Sequence, residues 1–177
     1  FDPATGAWLQ PFALGVLSYR ETHGVAFLMH GAILAKWRSD EVLRRKLGAL
    51  VSDELPWRIP GSRRSVFERG SIHWSADTGA VPLLERFHLD YDLLGADVGK
   101  IGLPSAPAQS IPGGQVQQFQ RGRMYHRAGA PKAFEVHGAQ RAGKAVDRLP
   151  AELLRQHGGQ QRGHGGAHVA GAHDAHG

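Results

Sequence analysis

The stretch "FERGSIHWSADTG", Phe67 to Gly79, decides how this chain is read. An aromatic precedes a Gly, an alternating run follows, and a polar turn closes on a second Gly. Gly70 offers the positive φ that a hairpin turn can use. In Ser71-Ile72-His73-Trp74 every second side chain shares a face. Ile72 and Trp74 therefore go together, and His73 falls on the opposite, more exposed side. Asp77, within the turn Ser75 to Gly79, can hold nearby backbone N–H groups.

The same pattern recurs. "GSRRSVFERGSIHWSADTG" (Gly61 to Gly79) meets "GAWLQPFALGVLSYRETHG" (Gly6 to Gly24) 55 residues earlier. Gly6, Phe12, Gly15, Leu17, Tyr19 and Gly24 fall on Gly61, Phe67, Gly70, Ile72, Trp74 and Gly79. At an offset of 52 residues, "GGQVQQFQRGRMYHRAG" matches at Gly113, Phe119, Gly122, Met124 and His126, with Gly129 two residues early. A second block, "ILAKWRSDEVLRRKLG" (Ile33 to Gly48), lies 54 residues before "FHLDYDLLGADVGKIG" (Phe87 to Gly102). "AFLMHGA" (Ala26 to Ala32) is echoed by "AFEVHGA" (Ala133 to Ala139).

A period near 53 residues predicts a β-rich repeat protein of α+β units. About three units are expected, near 1–48, 49–102 and 103–139. Each is a short hairpin or small sheet followed by a short helix. Ile33 and Trp37, at i and i+4, form the apolar stripe of that helix. Gly48 or Gly102 ends it, and Pro104 follows as a breaker. Such a unit cannot bury its own apolar face, so neighbours must stack. Phe12, Phe67 and Phe119 are expected at equivalent buried positions, with hairpins turning near Gly15, Gly70 and Gly122.

Composition narrows the function. The chain has 177 residues, 24 of them Gly, and no Cys, which excludes disulfides and Cys-ligated metal. The formal charge of +5 and pI near 10.0 would suit an anionic partner. Yet the basic residues are scattered, and Arg44, Arg45 and Lys46 read as the solvated end of a helix. The aromatics recur at the repeat period, as core residues would, instead of interleaving a basic groove, so nucleic-acid binding is the weaker reading. No run of about 18 apolar residues predicts a membrane span. The chain opens on Phe1 and reads as a fragment. G-x-S-x-G, H-E-x-x-H and P-loop patterns are absent, so no catalytic residue, metal site or cofactor is assigned.

On these residues the chain resembles the LGFP-repeat proteins of the mycobacterial and corynebacterial cell envelope. "FERGSIHWSADTGA" is similar to the core of that repeat, and "HGAILAKW" and "IGLPSAP" to its other signatures. Ile101-Gly102-Leu103-Pro104 stands at the name motif. In the first unit "LGALVSDELP" keeps Leu47-Gly48 and lacks the Pro. The resemblance implies units stacked as part of a closed, propeller-like ring of about five repeats. It also implies a non-catalytic, extracellular, wall-associated module that anchors an envelope enzyme through polysaccharide, with arabinogalactan the expected partner. The alternative is the remnant of an envelope hydrolase, a peptidoglycan amidase or mycolyltransferase, whose catalytic domain lies elsewhere.

Sugar binding asks for flat aromatic faces and hydrogen-bonding groups beside them. Trp57, His73, Trp74 and Tyr125 are the candidate aromatics, with Tyr19 in support. Arg63, Arg64 and Asp77 are the candidate polar partners, with Asp53. Trp57, between Pro56 and Pro60, is read as a loop aromatic open to ligand. Trp37 and Tyr91 are read as core. Beyond Ala139, Gln140 and Lys144 stand where the first unit has Ile33 and Trp37. Residues 140–177 form a Gly/Ala/His/Gln/Arg tail whose composition predicts disorder and resembles out-of-frame translation. His164, His168, His173 and His176 are read as part of that tail and not as metal ligands.

Overall fold

The computed structural model describes residues 1–93, 101–130 and 134–137. It contains three small antiparallel meanders. The first is β1 (Trp8–Pro11), β2 (Gly15–Tyr19) and β3 (Ala26–His30). The second is β4 (Leu55–Pro56), β5 (Arg63–Phe67), β6 (Gly70–Ser75) and β7 (Gly79–Leu84). The third is β8 (Pro104–Ile111), β9 (Gly114–Phe119), β10 (Gly122–Arg127) and β11 (Phe134–His137). Helices α1 (Gly31–Arg38) and α2 (Glu41–Leu47) follow the first sheet, and α3 (Glu85–Leu93) follows the second.

Gly15, Gly70 and Gly122 each open a central strand, opposite His30, Leu84 and His137 of the next strand. The hairpins therefore turn where the repeat spacing places them. Gly70 does not take the positive φ expected of it; the turn itself is Glu68-Arg69, between the paired Phe67 and Gly70. The glycine answers to close packing instead. A Cβ there would lie 2.5 Å from Leu83 O and 2.9 Å from Leu47 Cδ2. At Gly15 a Cβ would lie 3.0 Å from Met29 O.

Each helix lies between its own sheet and the next. Ile33, Leu34 and Trp37 of α1 and Leu43 and Leu47 of α2 pack in one cluster with Val16 and Met29 of the first sheet and Phe67 and Ile72 of the second. Phe87 and Tyr91 of α3 join Leu83 of the second sheet to Phe119 and Met124 of the third. Where one helix was expected there are two. Asp40 breaks the run by accepting from Leu43 N at 3.0 Å, which caps a fresh helix.

The connector then clasps the next hairpin. Arg69 N donates to Leu47 O at 2.9 Å, Glu68 N to Ala49 O at 3.0 Å, and Ala49 N to Glu68 Oε2 at 3.1 Å. The second junction repeats this bond for bond. Arg121 N donates to Ile101 O at 2.9 Å, Gln120 N to Leu103 O at 2.9 Å, and Leu103 N to Gln120 Oε1 at 2.9 Å. Gly48 and Gly102 bend the chain there with φ of 77° and 79°. A Cβ on Gly48 would lie 3.1 Å from Glu68 Cβ, and one on Gly102 would lie 3.0 Å from Gln120 Cβ. The Leu/Ile-Gly pair is thus a junction device, set by backbone conformation and by contact at once.

Phe67 and Phe119 are 2 % and 0 % exposed, but Phe12 is 56 % exposed. The expectation of three buried phenylalanines is corrected at Phe12. Among the described residues no helix covers the outer face of the first sheet, where Phe12, Leu14, Trp8 and Tyr19 lie open. The described residues form an open stack, not a closed ring. The tail at 140–177 lies outside the described residues.

Two measurements check this account. In urea unfolding, Phe67→Ala should cost about 3–5 kcal/mol, while Phe12→Ala should stay within about 0.5 kcal/mol. Gly48→Ala, strained in φ and crowded by Glu68, should cost at least about 1–3 kcal/mol. Equal losses at Phe12 and Phe67 would contradict the sandwich.

Candidate ligand-binding surface

The structure gathers some of the sequence candidates and separates others. Ser71 and His73 on β6 face α3, opposite the side of Ile72 and Trp74. His73 is fully buried, which corrects its expected exposure, and Tyr125 is buried as well. The reason is the sandwich: both faces of the second sheet are covered, so the alternation has no solvent side. Trp74 is half-buried against the α1 cluster.

A polar network surrounds His73. Ser71 Oγ lies 3.0 Å from His73 Nε2 and 3.0 Å from His88 Nδ1. The buried Arg64 pairs with Asp92 Oδ2 at 2.6 Å, approaches His88 Nδ1 at 3.3 Å, and sits 4.2 Å over the Trp57 ring. Trp57 meets His73 edge-on, with ring centroids 5.9 Å apart. His73 meets Tyr91 edge-on at 5.4 Å, and Tyr91 stacks on Phe119 at 5.2 Å. Trp57 is therefore half-buried with a guanidinium on its ring, and not the open loop aromatic the sequence suggested.

Burial removes water from the His73 imidazolium and holds its pKa well below the usual value; Arg64 and His88 push the same way. His88 is lowered too, by burial first, with Asp92 opposing and Arg64 adding. Both rings stay neutral near pH 7 and act as hydrogen-bonding groups. Ser71 Oγ between two imidazoles superficially suggests a nucleophile beside a base, but Ser71 is fully buried and closed to a polymer.

Arg63 points to the other side of β5. Its Nε donates to Glu54 Oε1 at 2.7 Å, and His30 Nδ1 lies 3.6 Å from the same oxygen. Asp77 is exposed at the β6–β7 turn, where Ser75 Oγ, not Asp77, accepts from Thr78 N at 3.2 Å. Asp53 Oδ1 accepts from Leu28 N at 2.7 Å. Sequence reasoning missed His88 and Asp92. Their i, i+4 spacing on one helix face was the available signal.

It also missed a groove of about 250 Å³ bounded by α2, the start of α3, and β8–β9. No sequence signal marks Gln117 at its edge. Among the described residues no cluster of His, Asp and Glu could hold a metal ion, and no helix is long and apolar enough to cross a membrane.

Sheet–helix units joined by Leu/Ile-Gly clasps define a β-rich repeat protein. The LGFP repeat family matches residues 47–99, from the first clasp through the second sheet and α3, so the chain carries an LGFP repeat there. That repeat is a non-catalytic module of cell-envelope-associated proteins. No curated protein matches the chain.

The buried histidines give a pH signature. With its folded-state pKa depressed, His73 contributes no pH dependence well above the unfolded-state value of about 6.5. Stability is lost as pH falls from there toward the folded-state value, because the unfolded chain takes the proton first. Urea midpoints should fall between about pH 7 and pH 5, and His73→Gln should flatten part of that slope. A slope identical in His73→Gln would show that the ring is not held neutral.

Proposed function

We propose that this chain is a wall-anchoring module of the cell envelope that binds polysaccharide, with arabinogalactan the polymer, and works by adhesion and not by catalysis. The match to the LGFP repeat over residues 47–99 carries the reading. The recurrence of one sheet register and one clasp supports counting three such repeats, with boundaries near 48, 102 and 139. In the parent protein an envelope enzyme linked to the module would be held at the wall.

The polymer would contact the surface where Trp57 and its guanidinium neighbours meet solvent. Trp57 keeps a half-exposed edge, Arg58 lies 5.4 Å from its ring, and Asp92 and His88 border Arg64. Arg63 and the accessible part of Trp74 lie on the opposite face of the sheet, where they and the exposed Asp77 offer a separate polar surface. The exposed Arg58 guanidinium beside the Trp57 ring offers N–H donors to sugar hydroxyls, while the buried Arg64 packs on the same ring and holds it in place.

The test is sedimentation with insoluble, arabinogalactan-rich wall. Binding should survive high salt, since neutral hydrogen bonds and stacking release no counterions. Trp57→Ala should weaken binding several-fold with the far-UV circular dichroism unchanged. Loss at moderate salt, or equal retention on DNA, would replace this reading with a generic basic surface.

A further inference from the structure

We infer that the open face of the first sheet is a docking seat for the helix and Leu/Ile-Gly connector of a further repeat unit, a contact that stands apart from polysaccharide binding. An apolar hollow of about 480 Å³ lies on that face, lined by Phe12, Leu14, Gly15, Leu28 and His30. Leu28 and His30 close on Gly15: a Cβ there would lie 3.2 Å from Leu28 Cδ1 and 3.4 Å from His30 Cβ. Phe12, Leu14 and Leu28 are exposed.

The other two sheets show what fills such a hollow. Phe67, Gly70 and Leu84 of the second sheet stand where the first has Phe12, Gly15 and His30. There Leu47 occupies the space, with its Cδ2 2.9 Å from the point where Gly70 would carry a Cβ. In the third sheet Ile101, just ahead of Gly102, packs with Phe119 and Met124. Each occupant is the apolar residue before the junction Gly, and each comes from the unit immediately ahead in the chain. Farther along the second sheet, Ile72 and Trp74 pack with the cluster of α1 and α2. Leu17 and Tyr19 hold those places in the first sheet, where Tyr19 is exposed.

The backbone points to the same occupant. In both filled junctions the two turn residues donate to the connector: Glu68 N to Ala49 O and Arg69 N to Leu47 O, then Gln120 N to Leu103 O and Arg121 N to Ile101 O. Ala13 and Leu14 hold these positions in the first hairpin, and their N–H groups have no acceptor among the described residues. A connector fills the hollow with its apolar side chain and meets both donors with its carbonyls. One element is missing. Glu68 and Gln120 also accept the N–H of the residue after the junction Gly, and Ala13 has no side-chain acceptor. The first seat therefore offers two hydrogen bonds where the filled junctions make three.

The test fuses a copy of residues 1–55 ahead of Phe1 of the full chain. The copied Leu47 then stands 21 residues before the original Ala13, as Leu47 stands 21 residues before Glu68. In hydrogen–deuterium exchange, the original Ala13 and Leu14 amides should exchange at least about tenfold more slowly in the fused chain than in the unfused one. Phe12→Ala at the original position, neutral in the unfused chain, should lower the fused chain's thermal midpoint as Phe67→Ala does. Ala13→Gln supplies the third acceptor and should raise the midpoint of the fused chain alone. Both substitutions fall at exposed positions, so the unfused variants keep their fold.

Unchanged exchange at Ala13 and Leu14, a Phe12→Ala that stays neutral after fusion, or an equal gain from Ala13→Gln in both chains overturns the assignment. Self-association of the unfused chain in sedimentation, abolished by Phe12→Ala, also overturns it and makes a second copy the occupant.

Discussion

The structure depends on a helix being apolar toward two sheets at once. α1 has eight residues and α2 has seven, lengths at which an isolated helix is not stable in water. A three-stranded sheet likewise needs a covered face to persist. Ile33, Leu34 and Trp37 satisfy both needs together, because the sheets before and after them close on the same side chains. Neither element is stable first and then packed; each is the condition of the other. This is why stability in such a stack is shared between neighbours and does not sit within one unit.

The Leu/Ile-Gly clasp gives that packing its register. Three backbone and side-chain hydrogen bonds at each junction tie the connector to the two turn residues of the following hairpin. The turns differ as Glu68-Arg69 and Gln120-Arg121, yet the first turn residue accepts the same N–H in both. The first sheet has Ala13-Leu14 at this place, with no side-chain acceptor, and its outer face is the open one. Polar turn chemistry and a covered face therefore go together in this chain.

Where burial and charge compete, burial wins for the histidines and pairing wins for Arg64. His73, enclosed on every side, is held neutral. Arg64 cannot lose its proton, so it keeps its charge beneath the surface only by pairing with Asp92 and lying over Trp57. The result is a half-exposed indole held by a buried, paired guanidinium.

Much of the fold was legible because its signals are local and periodic. The offsets of Gly15, Gly70 and Gly122, the stripe of Ile33 and Trp37, and Gly48 as the end of a helix can be read from spacing, and the structure bears them out; Gly102 does not end a helix as expected, but lies at a bend before β8, past Leu93 at the end of α3. The break between α1 and α2 was present in Asp40 but overlooked, because the stripe on either side looks continuous. The candidate surface was less legible. Alternation assigns His73 and Tyr125 to a strand's second face, but only the stack decides whether that face meets water or a helix. Beside Phe12 the apolar turn Ala13-Leu14 stands where Phe67 has Glu68-Arg69, but the burial itself is decided by a helix that covers one and not the other. The groove between α2, α3 and β8–β9 exists only because residues from Lys36 to Gln117, 81 positions apart in the chain, converge on it. Sequence by itself determined the unit and its period, which follow from side-chain spacing. Tertiary structure decided burial, pairing and the groove, which follow from what lies across the space between units.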